Sequence, residues 1–129
     1  MRRMLAKLIV SATIVAGASA TFAQAPPKGD PAAGASLFAD RCAMCHVAAG
    51  GGQGPSLAGV FGRKAASLVG FHYTAALVAS GIVWSGSTLD RFLAGPGHAV
   101  PGTAMAATIH DPRQRADLIA YLASRRARP

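Results

Sequence analysis

Apolar and polar positions divide the chain into a few short helical stretches separated by long irregular ones. From Pro31 to about Arg41, the residues Gly34, Leu37, Phe38 and Arg41 recur at three- and four-residue spacing, the period of a helix with one face turned inward. Asp30-Pro31 opens this helix, with aspartate as N-cap and proline at the first helical position, where no backbone N–H is needed. The same device recurs at Asp111-Pro112, ahead of a last helix whose apolar stripe is Leu118, Ile119 and Leu122, with Tyr121 beside it. Between them, Thr74 to Ser80 predicts a second helix ended by Gly81. Ser87-Thr88-Leu89-Asp90 predicts a third with a capping-box-like start, an apolar face of Leu89, Phe92 and Leu93, and a stop at Gly95-Pro96. Residues 48–54 and 97–109 are expected to be loops, and 55–64 carries turn residues without a sustained period. No strand pattern and no internal repeat appear. The expectation is an all-α domain of short helices and long loops, and such loops need something to pack on.

The N-terminus follows another pattern. Arg2, Arg3 and Lys7 precede an uncharged, mostly apolar run from Leu8 to Ala18, and both Ala18-Ser19-Ala20 and Thr21-Phe22-Ala23 fit a small-x-small cleavage site. This is the layout of a secretory signal peptide over residues 1–23, cut after Ala23 with Ala20 as the alternative. The apolar run is well short of the roughly 20 residues that span a bilayer, so no stable membrane insertion is expected. Residues 24–129 then form the working domain, with a flexible lead over 24–29. Without the leader, ten basic and five acidic residues remain, a net charge of +5. Export excludes nucleic acid as a partner and leaves acidic surfaces. A periplasmic monomer is expected.

The candidate chemistry centres on the two cysteines. In an exported chain they first suggest a disulfide, but they stand in Cys42-Ala43-Met44-Cys45-His46. Cys-x-x-Cys-His is the attachment pattern of haem c. Each thiol adds to one vinyl group of the porphyrin edge, the two-residue gap lets one turn of chain reach both, and the next imidazole lies where it can bind iron. A thioredoxin-like pair lacks its βαβ context, and a structural zinc site lacks further ligands. The second iron ligand is open on residues alone: Met105, in the loop Val100-Pro101-Gly102-Thr103-Ala104-Met105, competes with His72, His98 and His110.

With these residues placed, the chain resembles the class I cytochromes c, in particular their mitochondrial-like bacterial members. The resemblance runs from about Gly29 to Ala123. It rests on the attachment motif together with Gly54-Pro55-Ser56-Leu57, Gly59-Val60-Phe61-Gly62-Arg63-Lys64, Phe71-His72-Tyr73-Thr74, Gly81-Ile82-Val83-Trp84, Pro101-Gly102-Thr103-Ala104-Met105 and Arg115 to Leu122, in that order.

The resemblance implies a one-electron carrier, not an enzyme, with one haem c held through Cys42 and Cys45. His46 and Met105 would be the axial ligands. Pro55 would offer its carbonyl to the His46 ring. Tyr73 and Trp84 would donate to a haem propionate, and Arg63 would balance the propionate charge. Gly34 would let the first helix cross the last closely. Two departures stand out: Phe92 replaces a tyrosine common in relatives, and Gly97, His98 and Ala104 stand where relatives often carry lysines. A fixed haem subunit of a larger oxidoreductase and a small haem peroxidase are the alternative functions.

Overall fold

The computed structural model describes residues 28–125; the expected signal peptide, Arg126 and Arg128 lie outside the described residues. Five helices follow in order: α1 (Pro31–Arg41), α2 (Ala75–Ala79), α3 (Gly86–Ala94), α4 (Pro96–Ala99) and α5 (Pro112–Ser124). No strand occurs among the described residues; Lys64 and Val83 form one isolated antiparallel bridge. The architecture is all-α.

α1 and α5 make the main helix–helix joint. Each starts as its sequence predicts: the Asp30 carboxylate accepts the Ala32 N–H at 2.9 Å, and the Asp111 carboxylate accepts the Arg113 N–H at 2.8 Å. Close approach requires glycine, because a Cβ on Gly34 would collide with the Asp117 carbonyl and lie 2.8 Å from the Tyr121 Cβ. Phe38 and Tyr121 pack at 5.4 Å between ring centroids, and the Arg125 guanidinium lies over both rings at 5.3 and 5.5 Å. The buried Asp117 ties the crossing together. Its Oδ1 accepts the Asp30 backbone N–H at 2.7 Å and the Arg113 Nε–H at 3.2 Å.

Two expectations are corrected. α3 begins at Gly86, with Ser85 rather than Ser87 as its cap. Thr88 Oγ1 accepts the Ser85 N–H at 2.7 Å and Ser85 Oγ accepts the Thr88 N–H at 3.3 Å, so Thr88 closes the box from its far side. The stretch after Gly95 is not wholly loop. Pro96 stops α3 but starts α4, because proline suits a first helical turn.

The long loops are held by backbone pairing that no periodicity announces. Gly62 N–H reaches Trp84 O at 2.6 Å, Trp84 N–H reaches Arg63 O at 2.9 Å, and Ala65 N–H reaches Ile82 O at 2.7 Å. This strap holds the chain around residues 62–65 against the entry to α3. The core gathers Phe38 with Leu118 and Leu122 of α5, and Trp84 with Phe92 of α3. The aromatic pair meets edge to face at 5.0 Å.

Candidate haem site

The attachment segment continues directly from α1. Cys42 is the helix C-cap, and both its N–H and that of Ala43 bond to Phe38 O at 2.9 Å. The chain then coils on itself, with the N–H groups of Cys45 and His46 reaching Cys42 O at 3.1 and 2.9 Å. One tight turn therefore presents both thiols and the imidazole to the same side. No disulfide joins the two cysteines. Burial pushes the Cys42 thiol above its ordinary range, partly offset by the Arg41 charge, with the neighbouring Cys45 adding a smaller upward push.

His46 is held by the following loop. Its Nδ1 lies 2.8 Å from Pro55 O, so Nδ1–H donates to the carbonyl and Nε2 keeps its lone pair. The Gly54 N–H returns to Cys45 O at 2.9 Å, bringing backbone close under the ring. A Cβ at Gly54 would sit 2.5 Å from His46 Cε1 and 2.6 Å from Nδ1. Only glycine leaves the imidazole this place.

Met105 comes from the opposite end of the fold. Its loop leaves α4 through Thr103 N–H to Val100 O at 3.0 Å and is anchored beyond the methionine by Ile109 N–H to Leu93 O at 2.8 Å. Arg115 clamps this exit. Its guanidinium donates to Ile109 O and His110 O at 3.0 and 2.9 Å and to Asp90 at 2.7 Å. Arg115 is thus an internal strut, with 11% of its side chain exposed.

All eight residues singled out from the sequence line one cavity of about 380 Å³: Cys42, Cys45, His46, Pro55, Arg63, Tyr73, Trp84 and Met105. Of the competing histidines, His72 lines this cavity from an exposed position, whereas His98 and His110 do not line it. Arg63 donates to Ala58 O at 3.0 Å and Ser56 O at 3.2 Å, which orients its guanidinium and leaves other N–H groups free. Phe92 also lines the cavity, as do Leu57, Leu77 and Leu93. Sequence reasoning missed two supports: the Gly54 contact, whose signal is the glycine just before Pro55, and the Arg115 clamp, which carries no local signal.

The cavity suits a large, flat, mostly apolar group with two anchoring thiols at its edge. An imidazole nitrogen and a soft thioether both face it, a donor pair that matches haem iron. Among the described residues no cluster of three or more His, Cys, Asp or Glu could hold a bare ion. The fold and this wall define a protein built around a covalently attached haem.

Comparison with known proteins specifies the family. The family described as Cytochrome c matches residues 31–126. The chain is 46% identical to cytochrome c of Chlamydomonas reinhardtii over 106 residues, covering 79% of this chain and 94% of the relative. It is 48% identical to cytochrome c of Ulva intestinalis over 106 residues, covering 79% and 95%. It superposes on cytochrome cH from Methylobacterium extorquens with a TM-score of 0.71 and 43% identity, covering 74% of this chain and 99% of that one. This chain belongs to the cytochrome c family. It carries one covalently attached haem c, whose motif Cys42 and Cys45 fit, and it is an electron carrier, not an enzyme.

Proposed function

We propose that this protein is a diffusible one-electron carrier of the periplasm, shuttling between respiratory or dehydrogenase partners. Residues 1–23 would be the cleaved export signal and 24–129 the working domain, a monomer. No helix of the described residues is long and apolar enough to cross a membrane. The observation that carries this reading is the placement of His46 and Met105, from distant segments, on the wall of one cavity.

Each residue has a stated part. Cys42 and Cys45 bind the haem edge. His46 Nε2 and the Met105 sulfur would hold the iron between them, which would leave no open site for substrate. Pro55 O fixes the tautomer and orientation of His46. Tyr73 O–H and Trp84 Nε1–H are the donors for a propionate, and the Arg63 guanidinium supplies the opposing charge. When bound, the haem supplies an iron that accepts and releases one electron. The chain keeps the ligand shell rigid: Arg115 pins the Met105 loop, and the 62–65 strap pins Trp84. The net positive charge favours redox partners with acidic surfaces.

The test is an optical potential titration of the purified holoprotein that follows the weak long-wavelength iron–sulfur band. A reversible couple, that band in the ferric state and a ferrous spectrum indifferent to carbon monoxide are expected. Rapid carbon monoxide binding to the native ferrous protein would overturn the reading, and absence of the band would overturn Met105 as ligand.

A further inference from the structure

A second cavity, of about 570 Å³, shares no lining residue with the haem cavity. Its volume falls in the range of about 300–1,000 Å³ usual for small-molecule sites. It lies where α2, α3 and α4 meet, and its wall from α2 and from the end of α4 is short and apolar: Ala76, Ala79, Ala99, Val100 and Pro101. Two hydroxyls also line it, but both have spent their protons. Ser80 O–H donates to Leu77 O at 2.7 Å, and Thr88 O–H donates to Val83 O at 2.8 Å. The remaining polar groups are the exposed side chains of Arg91 on α3 and His98 on α4. A Cβ on Gly95 would lie 3.3 Å from His98 Cδ2, so the imidazole packs against the joint between α3 and α4. The ion pairs among the described residues, Arg113 with Asp117 and Arg115 with Asp90, leave Arg91 out. None of the residues lining this cavity is acidic. The cavity thus combines two unspent nitrogen donors with an apolar wall and supplies no carboxylate of its own.

We propose that this cavity between α2, α3 and α4 binds a small organic carboxylate, with its charged end on Arg91 and His98 and its apolar part against Ala76, Ala79, Ala99 and Val100. The proposal is independent of the carrier reading, because no group of the haem cavity takes part. Charge complementarity selects an anion, since the donors present are a guanidinium and an imidazole. The planar guanidinium fork matches the two oxygens of a carboxylate, and such charge-assisted pairs are the stronger hydrogen bonds. The apolar wall selects an organic molecule over an inorganic ion. A hydrocarbon part placed there releases water from both surfaces, which a bare phosphate cannot do. A neutral molecule of the same shape would gain the wall but not the ion pair.

Benzoate is the test ligand, titrated into ferrous holoprotein and followed by amide magnetic resonance. Ionic strength is held at about 0.1 M, where the screening length of about 10 Å suppresses attraction by the net charge of the whole protein. Saturable shifts at the amides of 76–82, 88–91 and 98–102 are expected. Benzyl alcohol, which has the ring without the charge, and inorganic phosphate, which has the charge without the ring, are each expected to bind at least about tenfold more weakly. Arg91→Gln is expected to weaken benzoate binding about tenfold, the loss of one charge-assisted contact, and His98→Gln about threefold. Ala99→Leu keeps both donors but fills the cavity, and is expected to abolish saturation. Absence of saturable binding at about 50 mM benzoate, a cost below about 5 kcal/mol being then all the site could supply, overturns the proposal. So do shifts centred on the haem cavity, phosphate binding as tight as benzoate, or unchanged binding in either Arg91→Gln or Ala99→Leu. None of these results touches the reversible couple or the indifference to carbon monoxide on which the carrier reading stands.

Discussion

Gly54→Ala puts the support of His46 to a quantitative test. The added Cβ would lie 2.5 Å from Cε1, where ordinary contact begins at 3.4 Å, so ring or loop must yield by about 0.9 Å. Gly54 is not in the left-handed region, so the effect is steric rather than conformational. The ring cannot give freely, because Nδ1 is bonded to Pro55 O at 2.8 Å and the loop to Cys45 O at 2.9 Å. Overpacking costs roughly 1–3 kcal/mol and a broken hydrogen bond about 1 kcal/mol, while the lower entropy of the unfolded alanine chain returns about 0.4–1 kcal/mol. The net loss is about 1–4 kcal/mol, a fall in melting temperature on the order of 5–30 °C for a domain of this size. With His46 as the proposed iron ligand, a weakened Pro55 contact would also make the imidazole a poorer donor to ferric iron, so the reduction potential is expected to rise. Thermal melting of the holoprotein and an optical potential titration read both effects. A variant with native melting temperature and potential would refute the idea that this loop braces the ligand.

Other consequences are as direct. Gly34→Ala drives a Cβ into the Asp117 carbonyl and is expected to lower stability by more than roughly 2 kcal/mol, despite alanine's better helix propensity, in a denaturant titration. Ala66 has a φ of 56°, so Ala66→Gly is expected to stabilise the fold by about 1 kcal/mol, read by the same titration. With Met105 as the proposed second iron ligand, Met105→Ala would free that position, so ferrous protein that ignores carbon monoxide in its native form is expected to bind it in the variant; a flash-photolysis signal checks this.

Local chemistry made much of this protein legible from its sequence. Asp30-Pro31 and Asp111-Pro112 announce the starts of α1 and α5, because capping and fixed φ act within a few residues. The attachment motif is local for the same reason: both thiols and the imidazole lie on one turn. The start of α3 and the existence of α4 escaped notice, because Ser85 and Ser87 are equally good caps by type, and Pro96 can end one helix or begin another. Only the tertiary structure decided what distance in sequence conceals. It brought Met105 to the cavity that His46 faces, made Arg115 the clamp of the Met105 loop, and set Gly54 under the imidazole. Capping and motif spacing are short-range and so can be read from neighbouring residues. Packing and the arrangement of surface charge depend on which distant segments meet, and that is settled only when the chain closes around its cavity.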